Sequence, residues 1–333
     1  MVSPAQVRPL LAEVLRTGRR QDTGPLGGPV PGGGTHFVTM VKPEVLQGEN
    51  ATEVLGEVVR VLGDGKVDIL RCAVTTAREF GERGYLLQHY PRLHRVAADG
   101  SAALSSGASR ALAALLDSSA ATGALGAFEA MTLDPELDPA ALEARCRQAG
   151  IHKLGSGSYA SVVQLHGRAV VVLNGFLPVL AAGYRGSAGL VGLLECHSER
   201  EIEDLRDNLL GELHPGKADP ASLRGAVHAL VGGPGGIALS EGRNAVHLSA
   251  GHLEGMFQSW RYFSAADGQG LDATVLGRAL AGLGLPMEAV AALAGDHNVA
   301  EQSGETVSPH GATEGLSREQ TLDAVRRWTA SRG

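Results

Sequence analysis

No stretch of the chain approaches the about 20 consecutive apolar residues that a bilayer-crossing helix requires, so no segment reads as a membrane span. Cysteine is scarce. Cys72, Cys146 and Cys196 are an odd number at wide spacing with no CxxC pair, which gives neither a disulfide framework nor a zinc pattern and reads as buried thiols in a reducing cytosol. Positive charge is also short: a formal net charge of -7 argues against a general nucleic-acid binder, whose phosphate contacts favour a basic surface. His36, His94, His152, His252, His297 and His310 lack metal-ligand spacing and read as surface or turn residues. The Gly/Pro-rich run at 23–34 lacks the Gly-Lys-Ser/Thr ending of a P-loop and the strand before it, so a linker is expected there. Near the start, Arg8, Arg16, Arg19 and Arg20 surround Leu10, Leu11, Val14 and Leu15 at helical spacing. That pattern differs from a charged start followed by an apolar signal core, and the expectation is a soluble cytoplasmic protein.

What is present is ample core-forming material, 44% hydrophobic over 333 residues, enough for one elaborated domain or two ordinary ones. The stretch that organises the rest is 241–249, EGRNAVHLS, where His247 follows an Asn by three residues and an Arg by four, behind Gly242. Alone, such a histidine is more often a packed structural residue than a nucleophile. Its company changes that reading: Lys42 in TMVKPEVL, Arg206 in EDLRDNLLG and Arg224 in HPGKADPASLRG lie upstream in order.

Lys42-Pro43, His89-Tyr90, His214-Pro215, Pro220-Ala221-Ser222-Leu223-Arg224-Gly225 and Gly242-Arg243-Asn244-Ala245-Val246-His247 follow one another over some two hundred residues. No one of these is specific, but their order resembles the nucleoside diphosphate kinase family. The resemblance implies an α+β fold with a ferredoxin-like βαββαβ antiparallel sheet carrying helices on its faces. It divides the chain into an N-terminal helix and Gly/Pro linker at 1–34, a kinase-like domain at 35–264 interrupted by an inserted helix/hairpin segment at about 91–174, and a helical C-terminal extension at 265–333.

The residues themselves predict a helix at 4–18, a strand at 36–42, and a helix capped by Asn50 with its apolar stripe at Val54, Leu55, Val58, Val59 and Leu62. A strand at 66–74 and a helix capped by Thr75 or Thr76 follow, the latter running as far as Tyr90. The insertion reads as an Ala/Ser-rich helix at 101–125, a helix from Asp138-Pro139 to Gly150, and a hairpin turning at His166-Gly167. Afterwards come a helix from Phe176 to Tyr184, a buried strand at 189–196, and a helix opened by a Ser198/Glu201 capping box that carries Arg206. A loop at 211–225, a second insertion at 227–241, and a helix at 253–263 complete the domain; residues 296–315 are polar and expected to be mobile.

By resemblance, His247 is the nucleophile toward the γ-phosphorus of ATP or another nucleoside triphosphate. Lys42, Arg206 and Arg224 grip phosphate oxygens, Asn244 bonds ribose or phosphate, Tyr90 orients Lys42, and Phe176 lies near the base. Gln258 and Ser249 join His247 and Lys42 as the catalytic set, with the Gln258 amide accepting a hydrogen bond from the ring N–H but stabilising a developing imidazolium less than a carboxylate does. Mg2+ would ride on the donor's phosphates. The implied partners are a nucleoside triphosphate, a small-molecule phosphoryl acceptor and further copies of the chain, with no nucleic acid and no membrane. Each residue has a structural alternative: a strand-end lysine for Lys42, an exposed helix ion pair for Arg206 beside Glu203, Asp204 and Asp207, and core aromatics for Tyr90 and Phe176.

The chain departs from the family pattern in four respects. Gln258, eleven residues past His247, replaces a glutamate that orients the imidazole; Leu213 stands near a phosphate-contacting threonine; Leu248 and Ala250 replace a glycine and an acid; and the insertion before Phe176 falls where the base would stack. The first expectation is therefore a phosphotransferase working through phosphohistidine, with an acceptor that can differ from a nucleoside diphosphate. Two alternatives are a nucleotide-binding module without turnover and a different transfer, nucleotidyl or acyl-phosphate.

Overall fold

The computed structural model describes residues 4–26, 30–186 and 188–330; residues 27–29 of the Gly/Pro run lie outside that set. Its strands in chain order are β1 (Gln21–Asp22), β2 (Thr35–Val41), β3 (Asp68–Thr76), β4 (Ala124–Gly126), β5 (His152–Gly155), β6 (Ser158–Leu165), β7 (Arg168–Leu173), β8 (Leu190–Ser198), β9 (Val246–Leu248), β10 (Val299–Ala300) and β11 (Thr306–Val307). With helices between them, the chain is α+β. It forms two compact units, one from 1–83, 183–291 and 313–333 and the other from 84–182 and 292–312.

The first unit is built on a sheet in the order β1-β3-β8-β2-β9, every neighbouring pair antiparallel. β2 and β8 are buried along their whole lengths, because helices cover both faces and the sequence supplies apolar side chains to each. On one face, Phe37 and Val41 join Val54, Leu55, Val58 and Leu62 of the helix Ala51–Asp64 and Val7, Leu11 and Val14 of the helix Pro4–Thr17. The other face receives the helix His252–Tyr262. Gly255 permits that approach: a Cβ there would lie 2.6 Å from the His36 carbonyl oxygen.

The second unit holds a sheet in the order β4-β7-β6-β5, antiparallel except for the β4–β7 pair. Its helices Ser106–Ser118 and Pro139–Ala149 are capped by the side chains of Ser105 and Asp138, which accept from the backbone N–H three residues on. Asn174, fully buried with φ of 51°, accepts from Tyr159 N and donates to the carbonyls of Leu93 and Gly157, each at 2.9 Å.

Several local expectations are corrected. Asn50 makes no side-chain cap; it ends a short 3-10 turn that leads into the helix. The helix after Thr76 stops at Glu82, and the chain passes through Gly84 at φ of 70° before Tyr85–His89 and the Pro91–Asp99 helix. The stretch 101–125 is helical only over Ser106–Ser118, after a 3-10 turn at Gly100–Ala103. Ser198 forms no capping box, because it is the last residue of β8 and its hydroxyl donates to the Lys66 carbonyl at 3.1 Å. Residues 296–315 are not featureless: Asp296, 1% exposed, accepts from Ser308 Oγ at 2.8 Å, His310 N at 2.9 Å and Arg92 Nε at 3.2 Å, and the β10–β11 hairpin follows it. At Asp296 polarity is turned inward and satisfied rather than solvated, while 302–304 at the hairpin are exposed.

Candidate active site

Lys42 follows the last residue of β2, and its N–H bonds the Ala245 carbonyl at 2.9 Å. β9 lies alongside with Met40 opposite His247, so strand pairing alone brings the lysine and the histidine to one end of the sheet. The turn into β9 is made at Ala245, in the left-handed region with φ of 65°, rather than at Gly242. Both sides of that turn are fixed: Ala245 N donates to Glu44 Oε1 at 3.2 Å, and Val246 N bonds the Asn244 carbonyl at 2.7 Å. A non-glycine residue in this conformation is uncommon and concentrates at functional positions. Here it aims Asn244, whose Oδ1 accepts from Lys42 Nζ at 2.7 Å.

Arg224 lies in the first turn of the helix Leu223–Val231, capped by Ser222, and not in a loop as the two preceding prolines suggest. Its guanidinium donates to the carbonyls of Val246 at 3.2 Å and Gly211 at 2.9 Å. Arg206 occupies a π-helical segment, Leu205–Leu210, a geometry common at functional positions. It donates to the Ala250 carbonyl at 3.3 Å and to Glu314 Oε1 at 2.7 Å. Arg224, Lys42 and Asn244 are buried; Arg206 is partly exposed.

His247 keeps 17% of its side chain exposed. Its Nε2 lies 3.2 Å from Glu254 Oε1 and 3.4 Å from Gln258 Nε2. Gln258 donates to Glu254 Oε1 through its amide nitrogen and accepts from Ser249 Oγ at 2.6 Å through its oxygen. Ser249 in turn accepts from Val38 N at 2.9 Å, and Glu254 Oε2 accepts from Ala250 N at 3.0 Å. The imidazole is thus tied to the sheet by a buried chain of side-chain contacts.

Burial above all, and then the positive fields of Lys42, Arg224 and Arg206, hold His247 well below the ordinary histidine range. Burial likewise lowers Lys42, with Glu44 pulling it back up and Arg224 pushing it further down. At neutral pH the ring is uncharged, as a nucleophile must be. The three cations around it are suited to the non-bridging oxygens of a phosphate group.

Lys42, Asn244, Arg224, Arg206, Ser249 and Gln258 are therefore brought around His247. Tyr90 and Phe176 belong to the second unit, Tyr90 edge-on to His89 with ring centroids 4.5 Å apart and Phe176 edge-on to Tyr159 at 5.6 Å. Leu213 is 51% exposed. Glu254 and Glu44 are not among the residues that the sequence motifs mark for the site. The signal available for Glu254 was its spacing of one helical turn from Gln258. Among the described residues no group of three or more His, Cys, Asp or Glu side chains is arranged to hold a metal ion, and no helix is long and apolar enough to cross a membrane. Comparison with models of known families, with curated proteins and with solved structures finds no match to this chain.

Proposed function

We propose that the protein is a nucleoside diphosphate kinase-like phosphotransferase that moves the γ-phosphoryl group of ATP or another nucleoside triphosphate through a phosphohistidine at His247. The observation that carries the proposal is the placement of His247 on β9 opposite Met40 of β2, with Lys42 held by Asn244 at 2.7 Å and Arg224 bonded to the neighbouring Val246 carbonyl at 3.2 Å. The ferredoxin-like reading of the fold is supported by the strand order β3-β8-β2-β9 and by the helix Ala51–Asp64 joining β2 to β3, two strands separated by the antiparallel β8.

In the first half-reaction an imidazole nitrogen attacks the γ-phosphorus. A P–N bond forms as the P–O bond to the β-phosphate breaks, and the nucleoside diphosphate leaves with the electron pair. An acceptor oxygen then attacks phosphorus, the P–N bond breaks, the ring recovers its lone pair and the acceptor's proton passes to water. Lys42 and Arg224 neutralise charge on the transferring group, Arg206 reaches from its partly exposed position, and Asn244 fixes Lys42. This cationic donor set suits phosphate oxygens rather than a metal, so Mg2+ would be held by the nucleotide. When bound there, it supplies additional charge neutralisation.

Incubation with γ-labelled ATP and Mg2+ tests the proposal. Acid-labile label on the protein is expected, and His247→Ala should abolish it. The contact of Glu314 with Arg206 favours a second reading, nucleotide binding without turnover, because it already places a carboxylate on one of the phosphate-gripping arginines. Tight binding without label would select that reading, whereas label from the α-phosphate would point to a different transfer.

A further inference from the structure

We infer that Glu254 is the positioning residue of His247: its carboxylate accepts the Nε2 proton, keeps the lone pair on Nδ1, and stabilises the charge the ring acquires when Nδ1 forms the P–N bond. The inference rests on the phosphotransfer reading for its chemistry, and on geometry alone for the hydrogen bond.

The argument is one of matching donors and acceptors. His247 Nε2 faces two groups, Glu254 Oε1 at 3.2 Å and Gln258 Nε2 at 3.4 Å. The Gln258 amide is oriented by Glu254, which can only accept, and by Ser249, whose hydroxyl accepts from Val38 N and reaches two acceptors, Gln258 Oε1 at 2.6 Å and the Val38 carbonyl at 3.3 Å, the shorter contact being the one to Gln258. The amide nitrogen is then turned toward Glu254 and gives it a proton. A carboxylate is the one member of this group that only accepts. It takes hydrogen bonds from Gln258 and from Ala250 N at 3.0 Å, and a ring nitrogen facing its Oε1 at 3.2 Å meets it favourably only as an N–H.

Glu254 is 8% exposed and Gln258 1%, so the contact acts in a poorly screened setting where a charge-assisted hydrogen bond is strong. The positive fields of Lys42, Arg224 and Arg206 oppose protonation of the ring. An imidazole that takes on positive charge among three cations needs a neighbouring anion, and Glu254 supplies it. Gln258 then is not a weakened substitute for a carboxylate. It is the clamp that holds a carboxylate carried one helical turn earlier, and this reverses the expectation drawn from the sequence.

Three measurements test the assignment. Nitrogen-15 spectra of the wild-type protein near neutral pH should show His247 as the Nε2–H tautomer; the Nδ1–H tautomer would overturn the inference. Glu254→Gln should lower the pH at which His247 protonates, since the same Lys42, Arg224 and Arg206 then face the ring without the anion; an unchanged or raised midpoint would overturn it. In the labelling reaction, E254Q should slow phosphohistidine formation on the order of 10- to 100-fold with nucleotide affinity retained. Gln258→Glu alone should not accelerate it, because two buried carboxylates would compete for one proton, whereas the double variant E254Q/Q258E should recover part of the loss. Wild-type labelling in E254Q, or faster labelling in Q258E, would contradict the assignment. The spectroscopic measurements do not require turnover, so they distinguish a failure of this inference from a failure of the phosphotransfer reading.

Discussion

Lys42 is a buried cation whose own protonation burial disfavours, with Glu44 opposing that effect. It also depresses His247. Replacing it by methionine keeps much of the volume and removes the charge, so Lys42→Met should move the His247 midpoint upward in a proton-detected titration while weakening triphosphate binding. A second histidine carries a different consequence. His252, 4% exposed, is lowered to about 4 by burial first and then by Arg318, with Glu319 pulling weakly the other way. The unfolded chain binds this proton at ordinary pH values near 6.5 while the folded chain does not, so stability is full above that value and falls as pH drops toward 4. At about pH 5 the loss is about 2 kcal/mol. Urea unfolding at about pH 8 and about pH 5 should show that difference, and His252→Leu should remove most of its share of it.

The helix His252–Tyr262 is the element on which the site turns, since one side presents Glu254 and Gln258 and Gly255 sits against β2. A methyl group at Gly255 would press the His36 carbonyl at 2.6 Å, backbone against backbone. Gly255→Ala should therefore destabilise the protein by about 1–3 kcal/mol and lengthen the Glu254–His247 contact. Thermal unfolding and the His247 tautomer would register the two effects separately. Much at this scale was legible in the sequence. The strand expected at 36–42 overlaps β2 to within a residue at each end, the apolar run at 189–196 overlaps β8 from Leu190, and Thr76 and Asp138 cap helices as their side chains suggest. Glu254 was not legible, because in HLEGMFQSW a glutamate reads as a solvated helix face until β9 is known to lie across it. Pro220 makes the stretch before Arg224 look like a loop and hides the cap at Ser222. Gly242 is the residue that by type lets the backbone turn before His247, and nothing in the sequence shows that Glu44 and Lys42 together hold Ala245 in the left-handed region.

For the whole molecule, chain order and spatial order differ. Residues 292–312 return to the unit formed by 84–182, and the tie within that unit is the buried pair of Arg92 and Asp296, with side chains 6% and 1% exposed. Removing one partner of such a pair strands the other charge, so Asp296→Ala should cost about 3–5 kcal/mol and raise hydrogen exchange at the β10–β11 hairpin. That segment was expected to be mobile because its composition is polar; satisfied burial of a carboxylate is invisible to composition. The motifs that spelled out the candidate site, by contrast, are spread from Lys42 to His247, and sheet pairing brings those two ends of the series together. Intact-mass analysis after incubation with ATP and Mg2+, followed by peptide mapping at neutral pH, tests the central claim most directly. The account predicts the added mass of one phosphoryl group carried on His247, absent from His247→Ala; unmodified protein, or a phosphoryl group on another residue, would contradict it.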